Sequence, residues 1–363
     1  VRLYVHEPKP PYTLIAGPIR AASIDRRYGL SEDSSADIGV AVGDMQIAWM
    51  RPGMCWRIDE STIGEPPWAG FVAAQDIPLA PEEVSLSLTG PKRALLSIEL
   101  AVRFPGRVSP SYAIEQALIA AHTKHGGIFP GDIDPTQGTA TEIDVRGETI
   151  SDFIDTMREE APGYEYRERC IVEDDGERLR FLLDFGPLQR PTNIVLHRND
   201  LANGLYHRER ITSGVTVLGS AIGFEGRESA TTSAEGSTSA SEPAAGAFSP
   251  LSAVASDLMN ERAIGPAAQR HEIFISERVE NDVLQVAELR HEELLRNVDE
   301  VFLQLDATKA SVRRLQLGDI VRLEVPSWGS PLGFPVSVNI HVRHITPQSS
   351  LSRRDIVGAV LFS

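Results

Sequence analysis

"LQLGDIVRLEV", Leu315–Val325, is a Gly-Asp turn running into an alternating strand. Near the other end of the chain "MRPGMCWRI", Met50–Ile58, has the same skeleton: a turn glycine, two residues, a large apolar residue, an arginine, then Leu or Ile. Gly53 and Gly318 each precede a strand with an inward apolar residue, Trp56 or Val321, and an outward arginine, Arg57 or Arg322. The repeated pattern predicts two copies of one β-domain, and the rest of the chain can be read against that expectation.

The first hundred residues read as strands. "IRAASIDRRYGL", "ADIGVAVGDMQIAWM", "MCWRIDES", "PPWAGFVAAQDI" and "EVSLSLTG" alternate or are rich in β-formers, with Gly, Pro and Asp clusters between them. Their spacing suits a small antiparallel barrel, with Trp56 and Trp68 packed inside and their indole N–H groups on carbonyls. The register then changes. "SPSYAIEQALIAAHTKHGG" is a helix capped by Ser109, with Pro110 in the first turn and Gly126 at its end. "GETISDFIDTMREEAPG" is a second helix, opened by Thr149 and Asp152. "YEYRERCIVEDDG" and "ERLRFLLDFG" form a hairpin turning at Asp175-Gly176.

From residue 187 the chain is β-rich again. The run 226–250, "GRESATTSAEGSTSASEPAAGAFSP", is low-complexity and predicts a flexible loop inside a β-domain. "SPLSAVASDLMNERAIG" aligns Leu251, Val254 and Leu258 as a short amphipathic segment. A clearer helix covers 281–297. In "FPVSVNIHVRHI", Val336, Val338, Ile340 and Val342 face one way and Ser337, Asn339, His341 and Arg343 the other, which is strand periodicity. The expected fold is mainly β, with two tube-like antiparallel β-barrel domains and a smaller α+β module. The expected domains are 1–105, a first barrel; 106–186, the α+β module; and 187–363, a second barrel holding the loop and the helix.

Composition narrows the function. The chain has 363 residues and a formal charge of −16. That excess of acid argues against nucleic-acid binding and against docking on an anionic membrane, while an acidic wall lets DNA slide past without sticking. Two cysteines, Cys55 and Cys170, are too few for a disulfide framework or a zinc site and read as buried thiols. No apolar run is long enough to span a membrane, and "VRLYVHEPKPPYTLIAGP" does not read as a signal peptide.

Candidate chemistry is sparse. "GDIDPTQGTATE" sets Asp132 and Asp134 at alternate positions, but Thr136 and Ile143 stand where a calcium loop would want other ligands. His341 and His344 are three apart on a strand and point to opposite faces; His197 and His207 flank a turn; His122 and His125 end a helix, where a cation suits the dipole. "GSAIG" lacks the spacing of a dinucleotide loop, and no nucleophile elbow, phosphate loop or HExxH occurs. The many paired carboxylates sit in a chain with 51 acids, and aromatics are only 6%. The reading is no catalytic residue, no cofactor and no metal, so not an enzyme. Gly53, Trp56, Trp68, Gly318 and Asp319 are the structural residues singled out.

The order of segments resembles the hub proteins of phage tail tips and baseplates, in the hub region of the tail-associated lysin type. The likeness lies in "PPWAGFVAAQDIPLAPEEVSLSLTGPKRALL" (first barrel), "ETISDFIDTMREEAPGYEYRER" (helix-then-strand insertion), and "GPAAQRHEIFISERVENDVLQVAELRHEELL" followed by "LQLGDIVRLEV" (second barrel). The resemblance implies a structural virion protein. Three subunits, each supplying two barrels, would form a trimeric ring that adapts a six-fold tail tube to a three-fold tip and lines the DNA exit channel. Implied partners are a homotrimer, the tail tube protein, the distal tail protein, the tape measure protein and central fibre or receptor-binding proteins, with transient passage of DNA. The implied place is the virion tail tip, after assembly in the host cytoplasm. Since the chain runs only to "RRDIVGAVLFS", no attached hydrolase or sugar-binding domain is expected. Two alternatives stand beside this: a β-rich carbohydrate-binding or glycan-degrading protein of the cell surface or virion, and a hexameric distal tail protein.

Overall fold

In a computed structural model, the described residues are 1–41, 43, 46–59, 66–76, 83–99, 104, 108–136, 148–161, 163–208, 212–219, 229–232, 238–241, 251–256, 270–276, 299–326, 336–348 and 353–361. The expected helix 281–297 lies outside them.

The N-terminal strands are β1 (Arg2–His6), β2 (Leu14–Gly29), β3 (Ser35–Ala41), β4 (Cys55–Asp59), β5 (Trp68–Asp76) and β6 (Glu83–Thr89). They pair in the order β1-β4-β5-β6-β3-β2, and β1 pairs β2 to close a six-stranded antiparallel barrel. Alternation sets the inside: Val84, Leu86 and Leu88 of β6 are buried while Glu83, Ser85 and Ser87 are exposed. Trp56 and Ile58 join Leu3, Val5, Ile38 and Val40 in the barrel core. The strand β1, with Leu3 and Val5 buried, is not among the strands expected from the sequence, yet it supplies the closure.

Helix α1 (Pro91–Leu96) leads to α2 (Pro110–His125), β7 (Ile128–Ile133), α3 (Ile150–Glu159), β8 (Glu165–Glu173) and β9 (Arg178–Gly186). The caps are those the sequence predicts. The Ser109 side chain accepts from Tyr112 N and the Thr149 hydroxyl from Asp152 N, and Gly126 has φ +72°. The sheet order is β7-β9-β8, and β8 and β9 turn through Asp174–Gly176. Ile114, Leu118, Phe153, Ile154, Met157, Phe181 and Phe185 form one core, which also takes in Tyr12, Cys55, Ala69 and Phe71. The α+β module therefore lies on the outer face of the first barrel. This changes the fate of Arg57: it does point out of the barrel, but it is buried under the module, donating to the Gly176 carbonyl at 3.0 Å with Tyr4 beneath it.

Strands β10 (Arg190–His197) and β11 (Leu201–Arg208) follow, separated only by a 3-10 turn at Arg198–Asp200. Next come β12 (Thr212–Gly219), β13 (Ser229–Thr232), β14 (Thr238–Ser241), β15 (Leu251–Ser256) and β16 (Arg270–Ser276). β12 lies between β15 and β16, and β13 pairs β14. Residues Leu251–Ser256, expected from their spacing as an amphipathic helical segment, are a strand antiparallel to β12. The strand places Leu251, Ala253 and Ala255 at alternate positions, a period the sequence satisfies equally well. Within the Ser/Ala-rich run 226–250, β13 and β14 are described and the remainder is not.

The last strands are β17 (Asp299–Asp306), β18 (Asp319–Val325), β19 (Val336–Gln348) and β20 (Arg353–Leu361). Their order is β18-β19-β20-β17-β11, with β10 beside β18. The β10–β18 pair is parallel, a departure from the all-antiparallel expectation. The segment 190–208 thus passes from the edge of β18 to that of β17. Leu196, Val301, Leu303, Val321, Leu323, Ile340 and Ile356 fill the second core.

Five strands of the first barrel correspond to five of the second. The pairs β2·β3, β3·β6, β6·β5 and β5·β4 match β11·β17, β17·β20, β20·β19 and β19·β18, all antiparallel. Registers match as well: Ile38↔Leu86 answers to Leu303↔Ile356, and Trp56↔Gly70 to Val321↔Ile340. So do the irregularities. The shift at Ala22 in β2 recurs at Ala202 in β11, and the shift at Ala73 in β5 recurs at Arg343 in β19. Bulges re-aim strands and are built features of a fold. In the first barrel β1 lies between β2 and β4; among the described residues the second has no counterpart of β1, and β10 meets β18 directly as a parallel pair.

Candidate assembly interface

The turn glycines set the edges of both barrels. Gly53 has φ +87° and Gly318 φ +84°, a region where a β-carbon is costly. Gly53 N donates to Val72 O at 2.8 Å, and Gly318 N to Val342 O at 2.9 Å. Each bond ends the pairing of β4 or β18 at the same point on its long neighbour. Asp319 is fully buried; it accepts from Gln316 N at 2.8 Å and from Arg190 Nε at 2.7 Å, tying the turn to β10. Trp56 is buried and donates from Nε1 to Trp49 O at 3.0 Å; Trp68 is buried and donates to Ser34 Oγ at 3.1 Å. The five residues do not converge. Trp56 and Trp68 share the core of the first barrel, Trp68 reaching the junction through Ser34, while Gly318 and Asp319 stand at the start of β18.

Beyond Gly318 the edge of β19 is taken by the first barrel. Gly29 and Tyr28 of β2 pair with His344 and Ile345, and Leu30 N donates to Arg343 O at 2.9 Å. Glu32 pairs with His344 Nδ1 at 3.2 Å, and this hydrogen bond holds the Glu32 carboxyl below the ordinary carboxylate range. The same segment meets the module, where Ser31 N donates to Tyr166 O at 2.9 Å. Glu165 sits 3.4 Å from Arg343. All three units join along Tyr28–Ser34, which the sequence shows only as the end of one alternating run.

Buried charge braces the junction. Lys92 is fully buried, 2.9 Å from both Asp33 and Asp155, with the Tyr166 ring at 4.7 Å. Glu168 accepts from Lys92 N at 2.7 Å and from the Ser34 hydroxyl, and burial pushes its carboxyl up to about 7. Asp184, fully buried, is held by Arg167 at 3.0 Å and by Arg169. No sequence pattern marks Lys92, because a buried lysine is recognisable only once its partners are placed.

A cleft of about 640 Å³ lies beside this junction, lined in part by Arg26, Trp68, Glu168, Arg169, Arg190 and Leu317. Of its two acids, Glu168 is engaged in the contacts above, and Asp134 lies beside Gly186 with its N–H donating to Phe185 O at 2.8 Å. Among the described residues no group of three or more His, Cys, Asp or Glu could hold a metal. Asp132 of the "GDIDP" turn pairs with Arg169 at 3.0 Å, and Thr136 bonds Ser111. His341 and His344 have different neighbours, Glu165 at 3.9 Å and Glu32. His197 stands 3.8 Å from Glu324, and His122 lies against Phe129. Cys55 is buried and Cys170 partly so; both are free, and burial pushes both thiols up, Cys170 to about 12. Such thiols are poor nucleophiles. No described helix is long and apolar enough to cross a membrane. The arrangement is built to join sheets.

No family model matches the sequence, and no curated protein does. Solved structures do. A tail protein from Neisseria meningitidis MC58 aligns at a TM-score of 0.60 and 12% identity, covering 99% of this chain and 96% of its own. The 43 kDa tail protein of prophage MuSo2 from Shewanella oneidensis aligns at 0.58 and 14%, covering 99% and 98%. Prophage tail protein gp18 from Listeria monocytogenes EGD-e aligns at 0.56 and 12%, covering 99% and 94%. Over nearly its whole length, this chain has the fold of phage tail proteins.

Proposed function

We propose that this chain is a structural virion protein, the hub of a phage tail tip or baseplate. It acts through interfaces and has no catalytic group. Three copies form a ring of six barrels, adapting a six-fold tail tube to a three-fold tip and lining the channel through which DNA leaves. Residues 1–105 and 187–363 are the ring-building units and 106–186 the lateral module. The ring's neighbours are the tail tube, distal tail and tape measure proteins and a central fibre or receptor-binding protein, in a particle assembled in the host cytoplasm.

The observation that carries this reading is the correspondence of the two barrels down to their bulges. A duplicated barrel lets a three-fold assembly present six near-equivalent surfaces, and the net charge of −16 suits a wall that DNA must pass without adhering. A hexamer of this chain would carry twelve barrels, which does not fit a six-fold tube. A glycan-acting protein would expose the face of a tryptophan in a cleft, whereas Trp56 is fully buried and Trp68, although it lines the cleft, is only 9% exposed with its indole N–H donated to Ser34 Oγ. Native mass spectrometry of the full chain, followed by imaging of the tail tip, tests the proposal. Three copies per ring are expected; a chain that stays monomeric at every concentration, or six copies, overturns it.

A further inference from the structure

The junction within the chain specifies the junction between chains. Inside one subunit, β2 runs past its own barrel and adds to β19 just where β18 has stopped. Three features make that possible: the Gly318–Val342 hydrogen bond that ends β18, the bulge at Arg343, and the open edge of β19 beyond it. The first barrel repeats each of them. The Gly53–Val72 bond ends β4, the bulge falls at Ala73, and β5 continues through Ala74, Gln75 and Asp76 with β6 on one side. On the other side no described strand pairs with those residues. Ala73, the counterpart of Arg343, is exposed.

The matching donor is also present. β11 is the counterpart of β2, and by register Arg208 stands where Tyr28 does. Tyr28 pairs with Ile345, whose counterpart is Gln75. Among the described residues β11 pairs with β17 alone, so the edge that β2 spends on β19 is unspent in β11.

We propose that the open edge of β5 at Ala74–Asp76 receives the end of β11, at Arg208, from a second copy of this chain. The contact repeats between subunits what β2 and β19 make within one. It rests on the ring reading above. Such a head-to-tail contact closes a ring or runs on as a filament, and closure at three is what the hub requires. Open strand edges are ready templates for this kind of addition.

The test uses the full chain with two cysteines, Gln75→Cys and Arg208→Cys. Residues opposite each other on neighbouring strands lie within disulfide reach. On oxidation, denaturing gels should show bands of two and three chains and none larger. Either single variant should stay monomeric on the gel, and mixing the two should give the two-chain band. Hydrogen exchange on the unmodified protein removes dependence on the variants: amides at 74–76 should slow about tenfold or more on assembly. A trimer by native mass that neither cross-links at 75 and 208 nor protects 74–76 overturns this junction and leaves the hub reading standing. A protein monomeric throughout overturns both, and a ladder that continues past three chains overturns ring closure.

Discussion

Replacing Gly318 by alanine should cost far more than replacing Gly53, although the two glycines hold the same place in their barrels. Both have φ near +85°, so alanine carries a left-handed backbone penalty of about 1–2 kcal/mol at either site. The difference lies in the neighbours. A β-carbon at Gly53 meets nothing within 4 Å, whereas at Gly318 it falls 2.3 Å from the Leu188 carbonyl oxygen. Ordinary contact starts near 3.4 Å, so backbone must move by roughly 1 Å, an overpacking cost of about 1–3 kcal/mol. The carbonyl cannot retreat freely, because Arg190 N, two residues on, donates to Gly318 O at 2.7 Å. Gly318→Ala should therefore lose about 3–4 kcal/mol and Gly53→Ala about 1–2. Hydrogen-exchange mass spectrometry reads each barrel separately. Amides of β18 and β19 should exchange a few hundredfold faster in the first variant, and those of β4 and β5 about tenfold faster in the second. Equal losses, or a tolerated Gly318→Ala, would refute the argument from the Leu188 carbonyl.

Acid should loosen the protein through two histidines. Burial lowers His6 and His341 to about 4, below the unfolded value, so the unfolded chain takes up protons first. The stability they confer is present above pH 6.5 and is lost as pH falls toward 4, by up to about 3 kcal/mol each; His341→Gln should flatten that slope in urea titrations at several pH values. Lys92→Met should destabilise by about 2 kcal/mol by midpoint shift. That is less than a fully buried pair would lose, because Asp33 and Asp155 are partly exposed and rehydrate. Asp319→Ala strands Gln316 N while the half-exposed Arg190 rehydrates, and should cost about 2 kcal/mol; Arg190→Ala, which leaves the fully buried Asp319 carboxylate without its cation, should cost about 3 kcal/mol by the same midpoint shift.

The correspondence of Gly53-to-Ile58 with Gly318-to-Leu323 was legible because both ends need the same left-handed turn and the same inward-outward alternation. The remaining equivalence was not, because it lives in the backbone. The matched bulges fall on Ala73 and Arg343, residues with nothing chemically in common, and strand pairing demands only a shape both can adopt. Helix ends at Ser109 and Thr149 were readable since caps use side chains for a local purpose. Closure by β1, the parallel β10–β18 pair and the burial of Arg57 under the module depend on which distant segments meet. Leu251–Ser256 was misread because a short apolar run fits period two and helical spacing alike. The turns at Gly53 and Gly318-Asp319 carry a local chemistry that the sequence shows, whereas Tyr28–Ser34 and Lys92 take their roles wholly from partners far away in sequence.

Because β2 runs through the first sheet and reaches the second at Tyr28 and Gly29, a stiff rod about 50 Å long leads from one barrel into the other. A torque on the first barrel is passed along that rod as shear and reaches the second through the pairing of Tyr28 and Gly29 with β19 and the bond from Leu30 N to Arg343 O, loaded side by side instead of one after another. A hinge between the barrels would have to part that short pairing, so the subunit should tilt as one piece for as long as it holds.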